Sequence, residues 1–211
     1  MIKNIVRKII PSTANEIEKI LLKELAGNKK VLDLGCGKNS PIRFLKNKKG
    51  FENLYTLGVD IFTPYIDLNK KGDHIHSEYL NSNIFEIEFP EKSFDTAILF
   101  DVVEHFHRED FLNFLPKLEK MVSKIIVITP NGFIEQGDHD KNPYQSHRSG
   151  WTVEDFNSLG FTCTGLSGYK PFYNMKFVPG VLNTLISDAS NFLVKNKPEK
   201  AFHLIAIKTI K

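Results

Sequence analysis

The stretch VLDLGCGKNSP, residues 31–41, decides how the rest of the chain reads. Val31 to Leu34 form a short apolar run of strand character that passes straight into a turn, where Gly35 and Gly37 let the backbone bend sharply and approach a ligand closely. Pro41 suits the first turn of a following helix. Strand, glycine turn and helix start in this order make a ligand-binding loop of the nucleotide type. Asp33 and Ser40 narrow what it can hold. A carboxylate two residues before the first glycine repels a diphosphate, which needs N–H donors and a positive field. Counting GxGxxG from Gly35 also puts Ser40 where the dinucleotide fingerprint has its third glycine. A cationic ligand is compatible with both departures.

Upstream of the loop, residues 12–26 read as a helix: Thr13 and Glu16 make a capping box, Ile17, Ile20, Leu21 and Leu25 share a stripe, and Gly27 stops it. Downstream, LYTLGVD (54–60), FDTAILFD (94–101) and KIIVIT (124–129) are short apolar runs like 31–35, as strands buried on both faces tend to be. Between the last two, Phe111, Leu112, Leu115, Leu118 and Met121 fall at helical spacing over 108–121. Strands alternating with helices predict βαβ units, hence an α/β fold with a doubly wound, mostly parallel sheet and helices on both faces. The final third departs from this rhythm. It predicts a short helix over Thr152–Gly160, a strand over 161–166, a helix over 181–195 and a last strand over 201–210, expected at an edge or antiparallel. The whole chain, 1–211, is expected to form one domain: an N-terminal helical segment (1–29), a cofactor-binding core (30–165), and a C-terminal helical insertion with the final strand (166–211).

A composition of 41% hydrophobic and 25% charged residues supports a packed core and excludes disordered or fibrous classes. The 28 basic against 25 acidic residues leave a net charge of +3, too mild to argue for nucleic acid. No apolar run approaches the ~18–20 residues of a membrane span. The segment MIKNIVRKIIP lacks a sustained apolar stretch and a small-residue cleavage site, so no signal peptide is expected. Cys36 and Cys163 are too few and too far apart for a disulfide framework or thiolate zinc site, which points to the cytoplasm.

The strand after the loop ends GVD, and its Asp60 comes 23 residues after Gly37, where an acid can accept both hydroxyl hydrogens of a ribose. A loop hostile to diphosphate followed by a ribose-binding acid fits S-adenosylmethionine, which has no phosphate and carries a sulfonium and an ammonium. VLDLGCG, the acid of GVD, FDTAILFDVVEH and ITPNG, in this order and spacing over roughly residues 30–165, resemble the class I S-adenosylmethionine-dependent methyltransferases. The resemblance implies a seven-stranded sheet with an antiparallel last strand and a cofactor lying across the carboxyl ends of the first strands. It implies that Asp33, Gly35, Cys36 and Gly37 hold the methionine end, and Asp60 and Ile61 the ribose and adenine. Asn83, ahead of Ile84, aligns with the family's frequent aspartate at the adenine amino group, where its carbonyl accepts without charge. Asp101 is expected at the methionine portion or the reacting centre.

Methyl transfer is an in-line displacement at a carbon the sulfonium already activates, so the protein aligns a nucleophile and removes its proton. The residues suited to this are concentrated in DVVEHFH; if it turns helically, Asp101, Glu104 and His105 share a face. Glu104, His105 and, from HRSGWTVEDF, His147 are the candidate catalytic residues. The ExxEH-like run followed by TPN and HxxxW is similar to the small-RNA 3′-end methyltransferases, which use such a Glu/His set to bind a metal that grips a ribose diol. Here Asp101 stands in place of the first glutamate, and NGFIEQGDHDKNPYQS differs from that family's intervening run. Three roles stay open for the cluster: binding divalent magnesium, manganese or zinc, metal-free base catalysis by His105 or His147, and structural support. No residue is assigned as a metal ligand. The loop 131–151, with Asn142, Tyr144, His147 and Trp151, is expected to form the acceptor site. His74 and His76 are expected to flank a short strand.

The expected activity is methyl transfer from S-adenosylmethionine to an oxygen or nitrogen of a polar acceptor, a small metabolite or sugar-containing precursor. Alternatives are metal-assisted methylation of an RNA ribose, nicotinamide-dependent oxidation and non-catalytic cofactor binding. Expected partners are a small-molecule acceptor in preference to nucleic acid, with the chain a monomer or homodimer.

Overall fold

A computed structural model describes residues 12–72, 74–138, 140–172, 186 and 188–211. Seven strands form one sheet: β1 (Lys30–Leu34), β2 (Tyr55–Asp60), β3 (Glu78–Asn81), β4 (Phe94–Phe100), β5 (Val122–Pro130), β6 (Thr162–Tyr169) and β7 (Ala201–Thr209). The helices are α1 (Thr13–Glu24), α2 (Thr63–Lys71), α3 (Arg108–Met121), α4 (Val153–Ser158) and α5 (Asn191–Val194). The sheet order is β3-β2-β1-β4-β5-β7-β6. β1 pairs in parallel with β2 and β4, β2 with β3, and β4 with β5, while β7 runs antiparallel to β5 and β6. The last strand is therefore antiparallel, as expected, but it lies inside the sheet and β6 takes the edge. Ala201, Leu204, Ile205 and Ala206 of β7 are all buried, in keeping with a strand that is covered on both faces and paired on both sides.

Side chains of the central strands alternate between two cores. Leu32 and Leu34, Ala97 and Leu99, and Ile125 and Val127 pack with Phe111, Leu115 and Leu118 of α3 and with Phe156 of α4. Val31, Ile98, Ile126 and Ile128 pack on the other face with Ile17, Leu21 and Leu25 of α1. Helices on both faces explain why these strands lack the polar alternation of a half-exposed sheet.

Two local expectations are corrected. After the glycine loop the chain forms a short 3-10 helix, Pro41–Leu45, capped where Ser40 Oγ accepts from Ile42 N at 3.1 Å; Asn47 at φ +64° lies just beyond it. Residues 101–105 do not form one helical face either. Asp101 takes a left-handed φ of +51° and only Val103–His105 turns, as a 3-10 helix. Of the helix expected over 181–195, residues 181–185 and 187 lie outside the described ones, and α5 accounts for the end.

The strand order reverses between β1 and β4, the point where open α/β sheets bind ligands at their carboxyl ends. The glycine loop leaves β1 there and Asp101 leaves β4 there.

Candidate active site

The glycine loop is bent back onto the protein. Gly35 N and Cys36 N donate to Val59 O at 2.8 and 3.0 Å, and Gly37 N donates to Asp60 Oδ2 at 2.8 Å. Three amides that a diphosphate would need are thus already committed to the chain's own acceptors. Gly35 sits at φ +69°, and a Cβ there would come within 2.6 Å of Val102 Cγ2, so glycine is required by conformation and by space. Asp60 is nearly buried; Oδ1 accepts from Phe62 N at 2.8 Å, and burial pushes the carboxyl above its ordinary range. Each oxygen keeps a lone pair for a hydroxyl donor.

Asp33 and Cys36 lie beneath this loop and do not line the cleft. Asp33 Oδ2 accepts from Ser40 Oγ and lies 3.2 Å from His76 Nε2, both side chains sealed from solvent. Asp33 therefore braces the loop from below. His76 precedes β3, as its flanking position suggested.

The cleft itself is lined by Gly35, Gly37, Asp60, Ile61, Asn83 and Ile84 on one side, and by Asp101, Val102, His105 and Phe106 on the other. Its cavity of about 220 Å³ takes a molecular ligand rather than one water. Phe85 and Phe106, with ring centroids 4.7 Å apart, add an apolar wall the sequence did not announce. Asn83 Oδ1 already accepts from Phe85 N at 3.1 Å, which leaves it one lone pair for an adenine amino group. Asp101 faces the cleft, with His203 Nε2 3.9 Å from its Oδ1.

Glu104 and His147 stand behind the cleft lining, against His105. Ligand-type atoms of Glu104, His105 and His147 all lie within 4.8 Å of one another. Glu104 Oε2 accepts from Thr129 Oγ1 at 2.9 Å, while Oε1 is buried without a hydrogen-bond partner. Burial, reinforced by repulsion from Asp101, pushes the Glu104 carboxyl well above its ordinary range. His105 Nδ1 faces Ser146 O at 3.3 Å and His147 Nδ1 faces Ile134 O at 2.6 Å. A carbonyl only accepts, so each ring carries its proton on Nδ1 and offers the other nitrogen's lone pair. Burial, then the neighbouring His147, pushes His105 down to about 4, so it is neutral near pH 7.

Trp151 positions the loop that carries His147. It is fully buried; Nε1 donates to Val103 O at 3.2 Å and Ser149 Oγ at 3.0 Å, and the Arg108 guanidinium lies 4.6 Å over its ring. Arg148 N and Ser149 N both donate to Glu104 O, at 2.8 and 3.0 Å, tying 148–149 to the β4 segment. Asn142, Tyr144, Gln145 and Arg148 close the cleft from this loop, with Asp140 tied to Lys38 and to Tyr65 Oη across the opening. Gln145 and Arg148 escaped sequence reasoning because their positions depend on how the loop folds back.

Comparison with known proteins agrees with this geometry. The Methyltransferase domain family matches residues 32–125. The chain is 26% identical over 161 residues to the uncharacterized protein MJ0638 of Methanocaldococcus jannaschii, covering 73% of this chain and 67% of that one. A SAM-dependent methyltransferase from Archaeoglobus fulgidus superposes with a TM-score of 0.58 at 18% identity, over 98% of this chain and 99% of that one. The methyltransferase domain of bacterial CtHen1 superposes equally, at 0.58 and 18% identity, over 92% and 97% of the two chains. With its switch-point loop, ribose-type acid and β3-β2-β1-β4-β5-β7-β6 order, the chain has the fold of these S-adenosylmethionine-dependent methyltransferases and carries the Methyltransferase domain match across its β1–β5 region. No helix among the described residues is long and apolar enough to cross a membrane.

Proposed function

We propose that the protein transfers the methyl of S-adenosylmethionine to an oxygen or nitrogen of a small polar acceptor seated against the 131–151 loop. His105 or His147 takes the acceptor's proton, and Glu104 supports the pair. The observation that carries this reading is the Glu104–His105–His147 cluster beside the cleft, with both Nδ1 atoms committed to backbone carbonyls. The cofactor would supply a methyl group already activated by its sulfonium; the chain supplies a cradle and a neutral imidazole nitrogen. Gly35, Gly37 and Asp101 would face the methionine portion, Asp60 and Ile61 the ribose and adenine, and Asn83 and Ile84 the adenine edge, over the brace made by Asp33 and Cys36. The free thiols of Cys36 and Cys163 suit a reducing cytoplasm.

The test is calorimetric titration with S-adenosylhomocysteine, then an assay of its release from S-adenosylmethionine with a panel of hydroxyl and amine acceptors. His105→Ala or His147→Ala should slow turnover about 10²–10⁴-fold while product binding persists. Absence of S-adenosylhomocysteine binding overturns the reading.

One observation favours a second reading. The buried, partnerless Glu104 Oε1 beside two lone-pair nitrogens fits a divalent cation, which Glu104, His105 and His147 would hold next to Asp101. Such an ion would supply a Lewis acid for a vicinal diol, in keeping with the likeness to CtHen1 and with an RNA ribose as acceptor. Titration of the product-loaded protein with magnesium, manganese and zinc tests it, and no uptake of any of the three removes it.

A further inference from the structure

We propose that the acceptor is an anion with a flat ring, its phosphate or carboxylate gripped by Arg148 and its ring laid on Phe133; this rests on the methyltransferase reading above. Arg148 lines the cofactor cleft and also an open groove on the outer surface, shared with His107, Gly132, Phe133 and Gly150. It therefore stands on the boundary between the cleft and the outer groove. Its backbone is anchored by the Arg148 N and Ser149 N bonds to Glu104 O, so the guanidinium is carried on a fixed segment next to the candidate base His147.

No described carboxylate lies within ion-pair distance of Arg148. The groove's other arginine is occupied: Arg108 pairs with Asp155, donates to Gly150 O at 2.8 Å and covers Trp151. Nearby loop acids are occupied too, Asp140 by Lys38 and Tyr65 and Asp138 by the Ser146 hydroxyl at 2.6 Å. Lys170 Nζ, 3.4 Å from where a Gly132 Cβ would stand, is occupied by Asn131 O at 2.5 Å. Glu109, at the exposed start of α3, is the carboxylate on the groove wall. An unpaired guanidinium fork suits a two-oxygen anionic group, which it can grip with two parallel hydrogen bonds.

Phe133 supplies the second contact. It is 59% exposed, and its backbone packs closely on Gly150, where a Cβ would fall 2.3 Å from Phe133 N, while the preceding Gly132 N donates to Trp151 O at 2.7 Å. A large exposed aromatic ring on the same groove as Arg148 makes a stacking platform for a planar group.

The test is calorimetric titration of the S-adenosylhomocysteine-loaded protein with phenyl phosphate, benzoate and phenol. The two anions should bind at least tenfold more tightly than phenol, and whichever is tighter identifies the oxyanion. Arg148→Gln should lose at least tenfold of the anion affinity, Arg148→Lys should fall between Arg148→Gln and the wild type because it keeps the charge and loses the fork, and Phe133→Ala should weaken all three probes. Equal binding of phenol and the anions, wild-type anion affinity in Arg148→Gln, or no anion uptake by the loaded wild type overturns the proposal. Failure of the wild type to take up S-adenosylhomocysteine in the loading step overturns instead the reading on which it rests.

Discussion

Asp33 Oδ2 lies 3.2 Å from His76 Nε2, both side chains closed off from solvent. The contact joins the end of β1 to the segment entering β3 from underneath the glycine loop. Gly58 of β2 makes room for it: a Cβ there would stand 2.6 Å from His76 Cδ2. Gly58→Ala should cost about 1–3 kcal/mol by overpacking. The check is a urea midpoint shifted downward with an unchanged slope, and a smaller loss when the same change is made in a His76→Ala background.

Asp60 holds the loop as well as offering oxygens to a ribose, since it accepts from Gly37 N and Phe62 N. Asp60→Ala removes a charged acceptor, an interaction of about 1.5–3 kcal/mol, or roughly tenfold to a hundredfold in affinity. Calorimetry with S-adenosylhomocysteine should show that loss.

Glu104 gives a dependence on pH with a definite sign. Burial raises its folded carboxyl above the ordinary 4.5, so above that pH the folded protein retains a proton that the unfolded chain releases. Its contribution to stability is complete at acid pH and falls as pH rises through the folded value. Glu104→Gln, a neutral stand-in for the protonated acid, should escape this decline. Melting temperatures taken from pH 5 to 9 should show the variant gaining on the wild type as pH rises, while its methyl-transfer activity is reduced.

Trp151 is the chain's one tryptophan and is fully buried between Phe111 and Phe156, with centroids at 5.2 and 5.5 Å. Trp151→Ala should cost about 3–5 kcal/mol, read by circular dichroism in urea. Turnover should fall further than stability alone accounts for, because the 147–149 segment loses the Trp151 Nε1 bonds to Val103 O and Ser149 Oγ and keeps only the Ser149 hydroxyl on Val103 O.

Particular elements show what could be read in advance. α1, expected over 12–26, spans Thr13–Glu24, and α3 spans Arg108–Met121 as its spacing predicts, even with Pro116 inside it. Both carry strong apolar stripes, and a stripe is a local property. β3 and α2 were not legible. β3 has four residues, none of them buried, so its sequence EYLN bears no mark of a core strand. α2 has a polar mean character and packs only Tyr65, Ile66 and Asn69.

The candidate site divides in the same way. Gly35, Gly37, Asp60, Ile61, Asn83, Ile84, Asp101 and His105 line the cleft, all of them named from the sequence. The direction in which Asp33 points was not readable. Strand alternation turns it into the face beneath the loop, where Ser40 and His76 wait, and that partner comes from 43 residues downstream.

The sequence by itself determined the order of the strands and helices other than β3 and α2, the glycine loop and the acid that follows it, because apolar period, turn chemistry and charge act over a few neighbouring residues. Only the tertiary structure decided that β7 slips between β5 and β6, that the loop's amides are already bonded to Val59 and Asp60, and that His147 comes to rest against Glu104 and His105. Those outcomes depend on contacts between residues far apart in the chain, whose partners are selected by the packing of the whole fold.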